Sequence, residues 1–249
     1  MQPVRVPELI GVRFDGMGRA VGQAAAAPVL REQGFARVFG VAEVGEDVVA
    51  PPPVARRRDG VGYLNEDALL AMLSELHERT GAALAAGRFP VVYGADCSVL
   101  LATVPGLKGV GGHAGLLHLD GHEDATPMAR TDSGEAANME IRLLTGLDGE
   151  RPAADMPVPL PALGPDAVAI LGVRDAAFRE QLDAPASRGS CSCGRPRRSA
   201  PRHWTAHARP SRGCRRSRPR GGSTSTSTCC RGRRSGRAAR PARRSWRAA

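Results

Sequence analysis

Aromatic side chains are scarce in this 249-residue sequence, with two Trp, two Tyr and five Phe. No apolar run approaches the ~18 residues of a membrane span. The opening MQPVRVPELIGVRFDG lacks the apolar core and cleavage site of a signal peptide. A cytoplasmic protein without membrane partners is therefore expected. The sharpest absence is local. Residues 187–249 contain no Val, Ile, Leu, Met, Phe, Tyr, Lys, Asn, Gln, Asp or Glu. Without branched aliphatics they cannot bury enough apolar area to offset their conformational entropy, so a disordered tail is expected there.

That tail holds nineteen arginines and five of the six cysteines. Because it contains none of the 25 acidic residues, the overall +10 hides an acidic body at residues 1–186. The chain therefore divides into a body, 1–186, and a basic tail, 187–249. Nineteen arginines would bind nucleic-acid phosphate non-specifically and with steep salt dependence. A non-enzymatic protein with a nucleic-acid-binding tail is thus the alternative to an enzyme. The spacings of Cys191, Cys193, Cys214, Cys229 and Cys230 do not form the paired pattern of a zinc site.

In the body, continuous apolar runs predict strands over 7–15, 38–44, 90–93, 115–119 and 167–173. Helices are predicted over 21–34, 65–87 and 133–146; the second starts at an Asn65 cap and carries Leu69, Leu70, Leu73 and Leu76 on one face. Residues 49–58, rich in proline, read as a loop. Apolar strands alternating with helices predict a parallel sheet covered on both faces. Working residues in such sheets collect beyond the carboxyl ends of the strands.

Two polar motifs fall there. Asp120, His122 and Asp124 follow the run GLLHL as D-G-H-E-D. In an extended segment alternate residues share a face, which would present two carboxylates and an imidazole to a divalent cation such as Mn²⁺. A polar turn capping the next helix is the plainer alternative. Asp96 and Cys97 follow the preceding strand in GADCS, where Gly94 allows a tight exit. Cys97 is a candidate metal ligand, a small buried side chain at a helix start, or a nucleophile if His118 or His122 lies close enough to act as its base. Ser133 is a candidate N-cap, and Glu135 and Asn138 are candidates for holding substrate.

The segments LIGVRFDGMGRAVGQAAAAPVLREQGF, VVYGADCS, LLHLDGHEDA, DSGEAANMEIRLLTG and AVAILGVRD, in this order and spacing, resemble the arginase/agmatinase (ureohydrolase) family. The resemblance implies a three-layer α/β/α fold with a parallel sheet, two Mn²⁺ ions, frequent homo-oligomers, and hydrolysis of guanidino or amidino C–N bonds in small molecules. Asp120, His122 and Asp124 match the family's D-A-H-x-D metal ligands. Cys97 stands where the family usually has a ligand histidine, and Ala137 where it has a histidine serving substrate or proton transfer. These departures mark a divergent branch. The family's late D-x-D strand has no counterpart, since no acidic residue follows Asp183. A truncated fold, an incomplete metal site and impaired activity are therefore expected.

The tail has a second reading. Cysteine codons begin TG, so reading one base out turns each tail cysteine into Leu, Val or Met. Under that shift STSTSTCC (223–230) can become His-Val-Asp-Leu-Asp-Val-Leu, a buried strand carrying D-x-D. The expectation is that residues from about Ser187 are an out-of-frame translation of a ureohydrolase C-terminal half.

Overall fold

The computed structural model describes residues 5–19, 22–41, 44–57, 62–111, 113, 115–150 and 152–181, and the backbone of 190–191. These fall within the first of two compact units, Met1–Arg198. The chain runs β1 (Pro7–Arg13), α1 (Ala26–Glu32), α2 (Phe35–Val38), β2 (Val48–Val49), α3 (Glu66–Ala85) and β3 (Phe89–Gly94). It continues through α4 (Leu100–Gly109), β4 (Leu116–Leu119), α5 (Glu140–Thr145), β5 (Val168–Leu171), α6 (Ala176–Gln181) and β6 (Ser190–Cys191).

All described pairings between strands are parallel, as the unbroken apolar runs predict, but they form two three-stranded sheets, ordered β2-β1-β3 and β4-β5-β6. The first sheet has helices on both faces. Alternation sends Ile10, Val12 and Val92 toward α3 and α4, while Leu9, Val91 and Tyr93 meet Ala27, Phe35 and Phe39 on the other side. This is the expected α/β/α layering. The second sheet buries Val168 and Ile170 against Ala125, Ile141 and Leu163. Its opposite face carries Leu117 and Leu119, 60% and 71% exposed.

Helix α3 buries Leu69, Met72, Leu73 and Leu76 completely, at the spacing of one helical face. Asn65 precedes it in a left-handed conformation but does not cap it. Instead its amide donates to the Asp15 carbonyl at 2.8 Å and accepts from the Val54 amide at 2.9 Å, tying the helix start to the end of β1.

Three predicted elements differ. The described residues of 38–44 form no strand: Phe39, Val41 and Val44, with Phe35, are half-buried by packing beside α2 rather than by sheet pairing. The helix predicted over 133–146 is a 3₁₀ turn at Ala136–Asn138 followed by α5. Ser133 therefore caps no helix; its hydroxyl accepts from the Glu135 amide at 3.2 Å. Within the tail expected to be disordered, Ser190 and Cys191 pair with Ile170 and Leu171 as β6. Strand pairing uses backbone groups, so it needs no aliphatic side chain at those positions. The rest of the tail, with its cysteines beyond Cys191 and its basic surface, lies outside the described residues. Among the described residues, no helix is long and apolar enough to cross a membrane.

Candidate metal centre

The site lies where β1, β3 and β4 end. β3 stops at Gly94 with φ of 93°, and Ala95 follows at 57°, so two successive left-handed residues reverse the chain. A side chain at Gly94 would collide with the Val12 carbonyl, which explains why glycine stands there. Asp96 is then extended, and its carboxylate accepts from the Ser98 amide at 3.0 Å, opening the turn Cys97–Val99. This places Cys97 over the end of β4.

From β4, Asp120 reaches the same point. Its Oδ2 accepts from the Cys97 thiol at 3.7 Å, and its Oδ1 accepts from the His122 amide at 2.9 Å. Burial acts to raise the Asp120 carboxyl, but the His122 and Gly121 amides and the His118 and His122 imidazoles outweigh it and hold it below the usual range. Burial, followed by the charges of Glu140, Asp124, Asp120 and Asp96, pushes the Cys97 thiol far up. Cys97 is therefore a neutral thiol facing a carboxylate, unlike the activated nucleophile that a nearby histidine base would create.

The segment after Asp120 does not run straight. Asp124 has φ of 49°, and its carboxylate turns inward beside the His118 ring, with Oδ2 3.2 Å from Nε2. The His122 side chain is 70% exposed at the cavity rim, its Nδ1 3.4 Å from Asp120 Oδ1. Asp120 and Asp124 thus share a face, while His122 stands apart. Glu123, between them, is fully buried and pairs with Arg179 of α6 at 3.2 Å.

Ligand atoms of Cys97, Asp120 and Asp124 lie within 4.8 Å of one another. Two carboxylates and a sulfur in that space fit a first-row divalent cation. They line a cavity of about 200 Å³ together with Asp96, Glu135 and Asn138. Asn138 donates to Glu135 Oε2 at 3.1 Å, so these two form one polar wall. A second group, His118, Asp124 and Glu140, also brings its ligand atoms within 4.8 Å. Sequence reasoning did not single out Glu140. His118 had a signal, since it lies two residues before Asp120 and alternation puts both on one side of β4.

The model of the arginase family matches residues 8–190. The chain is 34% identical over 121 residues to an arginase of Eremothecium gossypii, covering 48% of this chain and 30% of that protein. It is 26% identical over 114 residues to an arginase of Staphylococcus aureus strain MRSA252, covering 46% and 37%. The matched part thus spans about a third of the length of these relatives. Among solved structures, it is similar in fold to the arginase of Bacillus caldovelox, with a TM-score of 0.59 and 22% identity over 74% of this chain and 64% of that one.

Proposed function

The chain belongs to the arginase family, and from that membership we propose that its cavity is a divalent-cation centre of the ureohydrolase type, acting on a small guanidino or amidino compound. The convergence of Cys97, Asp120 and Asp124 within 4.8 Å at the strand ends carries this reading. In the proposal these three hold a Mn²⁺-like ion, with His122 at the rim. When bound, such an ion supplies the Lewis acidity that activates water for attack on a C–N centre at neutral pH.

The chain's own residues set the rest. The His122 and Gly121 amides keep Asp120 ionised, so it presents a charged ligand without needing a cation to remove its proton. To serve as a ligand beside Asp120 and Asp124, Cys97 would have to release to solvent the thiol proton it now donates to Asp120. Glu135, oriented by Asn138, offers an acceptor suited to the planar N–H groups of a guanidinium or amidinium. Asp96, Asp120 and Asp124 make the cavity acidic, which favours a cationic substrate over an anionic one. Turnover is expected to be slow, because the family's late D-x-D carboxylates have no counterpart after Asp183.

The test uses the full chain. Equilibrium dialysis against Mn²⁺ with elemental analysis is expected to find bound metal that falls in Cys97→Ala and in Asp120→Asn. A panel of guanidino and amidino compounds, followed by urea or ammonia release, is expected to show slow hydrolysis. Metal content unchanged in both variants would overturn the proposal.

A further inference from the structure

We propose that the open face of the second sheet is the contact surface through which two copies of this chain form a closed, two-fold pair. The surface is the outer side of β4 and β5, apart from the strand ends that carry the proposed metal centre.

Strands β4 and β5 alternate. His118, Val168 and Ile170 turn inward and are buried, while Leu117, Leu119, Ala169 and Leu171 turn outward and are exposed. The register sets Leu117 beside Ala169 and Leu119 beside Leu171, so the four make one compact apolar square. With Leu117, Leu119 and Leu171 exposed by 60%, 71% and 40%, the square offers roughly 300 Å² of apolar surface, the scale of a patch that marks an interaction site. A parallel sheet is seldom bare on one side, because its strands are apolar on both faces and need cover on both. The first sheet keeps that rule, with Ala27, Phe35 and Phe39 on one side and α3 and α4 on the other.

A cover for this face has to bring aliphatic or aromatic side chains, and the rest of the sequence has few to give. Residues 182–189 include a single leucine, and 192–249 include no Val, Ile, Leu, Met, Phe or Tyr. The other stretches outside the described residues are four residues or shorter. A second copy brings the same leucines and the same bare face, so one contact covers both. Sheets stacked face to face lie about 10 Å apart with their strands roughly aligned. A two-fold axis running across the strands lays β5 over β5. Leu171 of each copy then stands over Ala169 of the other, where the short side chain leaves room, and Leu117 meets Leu119. The same arrangement brings Asp166, exposed ahead of β5, toward Arg174, exposed after β5 in the other copy. A two-fold along the strands would place amino end over amino end and lose that match of charge. The apolar square is the centre of the contact, and the polar residues around it supply the rest of the ~800 Å² that each partner gives to a stable interface.

The experiment weighs the full chain in solution, by sedimentation velocity and light scattering over a range of concentrations. A dimer is expected that persists in ~0.5 M NaCl, since salt screens charge but not apolar contact. Leu117→Lys and Leu171→Lys are each expected to raise its dissociation constant by about a hundredfold or more. Both side chains are exposed in the single chain, so circular dichroism of either variant is expected to match the wild type. Val38→Lys, at an apolar position 79% exposed on α2, is the control and is expected to leave the association unchanged. Asp166→Arg is expected to weaken the pair at low salt, where it sets like charges against each other. A monomer at every concentration overturns the inference, as does a dimer that survives both Leu117→Lys and Leu171→Lys. Association that dissolves in ~0.5 M NaCl belongs to the basic tail meeting acidic bodies, and it too overturns the inference. Growth beyond two copies refutes the closed pair.

Discussion

Replacing Gly94 by alanine tests whether the site depends on how β3 ends. Gly94 has φ of 93°, where an L side chain costs about 1–2 kcal/mol. An added Cβ would lie 2.5 Å from the Val12 carbonyl oxygen and 2.9 Å from Ala27 Cβ. Neither neighbour can yield easily. Val12 is registered against Gly94 in the β1–β3 ladder and against Val48 in β1–β2, and both Val12 and Ala27 are fully buried. Forcing atoms into such a site costs about 1–3 kcal/mol more. The sum, about 2–5 kcal/mol, is a large part of the ~5–15 kcal/mol that keeps a domain folded. Urea unfolding followed by circular dichroism is expected to show the midpoint falling by roughly 1–2 M with little change in slope. Gly172→Ala makes the companion measurement, since φ is 104° there and the Asp120 carbonyl lies 2.8 Å from the added Cβ. Its contact is the looser of the two, so its loss is expected to be the smaller. A Gly94→Ala loss below about 1 kcal/mol would refute the reasoning, since that is less than the backbone term alone.

Tyr63 is fully buried, and burial, reinforced by the charge of Glu66, raises its phenol to about 12. An unfolded tyrosine titrates near 10, so this contribution is intact below pH 10 and lost as pH rises toward 12. The wild type is expected to lose about 2 kcal/mol between pH 9 and 11.5 that Tyr63→Phe keeps, measured by urea unfolding at the two pH values; equal losses would refute the assignment. The gene is expected to show, in the frame adjacent to codons 187–249, an open stretch encoding a strand with D-x-D; sequencing that finds none ends the out-of-frame reading.

Much of the fold was legible because its strands are short, continuous and apolar. β1, β4 and β5 coincide with predicted runs trimmed at the ends, and β3 runs one residue past each end of its predicted run. Residues 38–44 show where that signal fails. An apolar run records burial, and burial beside α2 looks the same in sequence as burial in a sheet. β2 is two residues long and follows no run of its own. Helix α4 was not predicted; it contains Pro105 and Gly106, residue types that ordinarily disfavour a helix interior. In the site, the positions of Cys97, Asp120 and Asp124 after two strands were visible. The turn at Asp124 that separates its side chain from His122 was not, because a left-handed aspartate leaves no mark in spacing. Glu140 was invisible for a different reason: an acid in the first turn of a helix is ordinary, and only its burial makes it unusual.

The two sheets do not share a ladder among the described residues, yet the ligand groups draw on both: Cys97 follows the last strand of one, while Asp120 and Asp124 follow the first strand of the other. What joins the halves below the site is side-chain packing. Leu101 of α4, Leu143 of α5 and Leu116 of β4 belong to the same cluster as Ile10, Val12 and Val92. An ion held by Cys97 and Asp120 would add a direct tie between strand ends that have no backbone bond to each other. Binding and folding are then the same free energy seen twice. An ion that binds only the folded chain, present at a hundred times its Kd, stabilises it by about 2.7 kcal/mol. That is comparable to the cost of the Gly94 substitution, so saturating metal should rescue the variant's unfolding midpoint if Cys97 still reaches Asp120. If the altered exit from β3 has carried Cys97 away, metal will leave the variant unrescued while still stabilising the wild type. The comparison separates damage to the fold from damage to the site, which loss of activity alone cannot do.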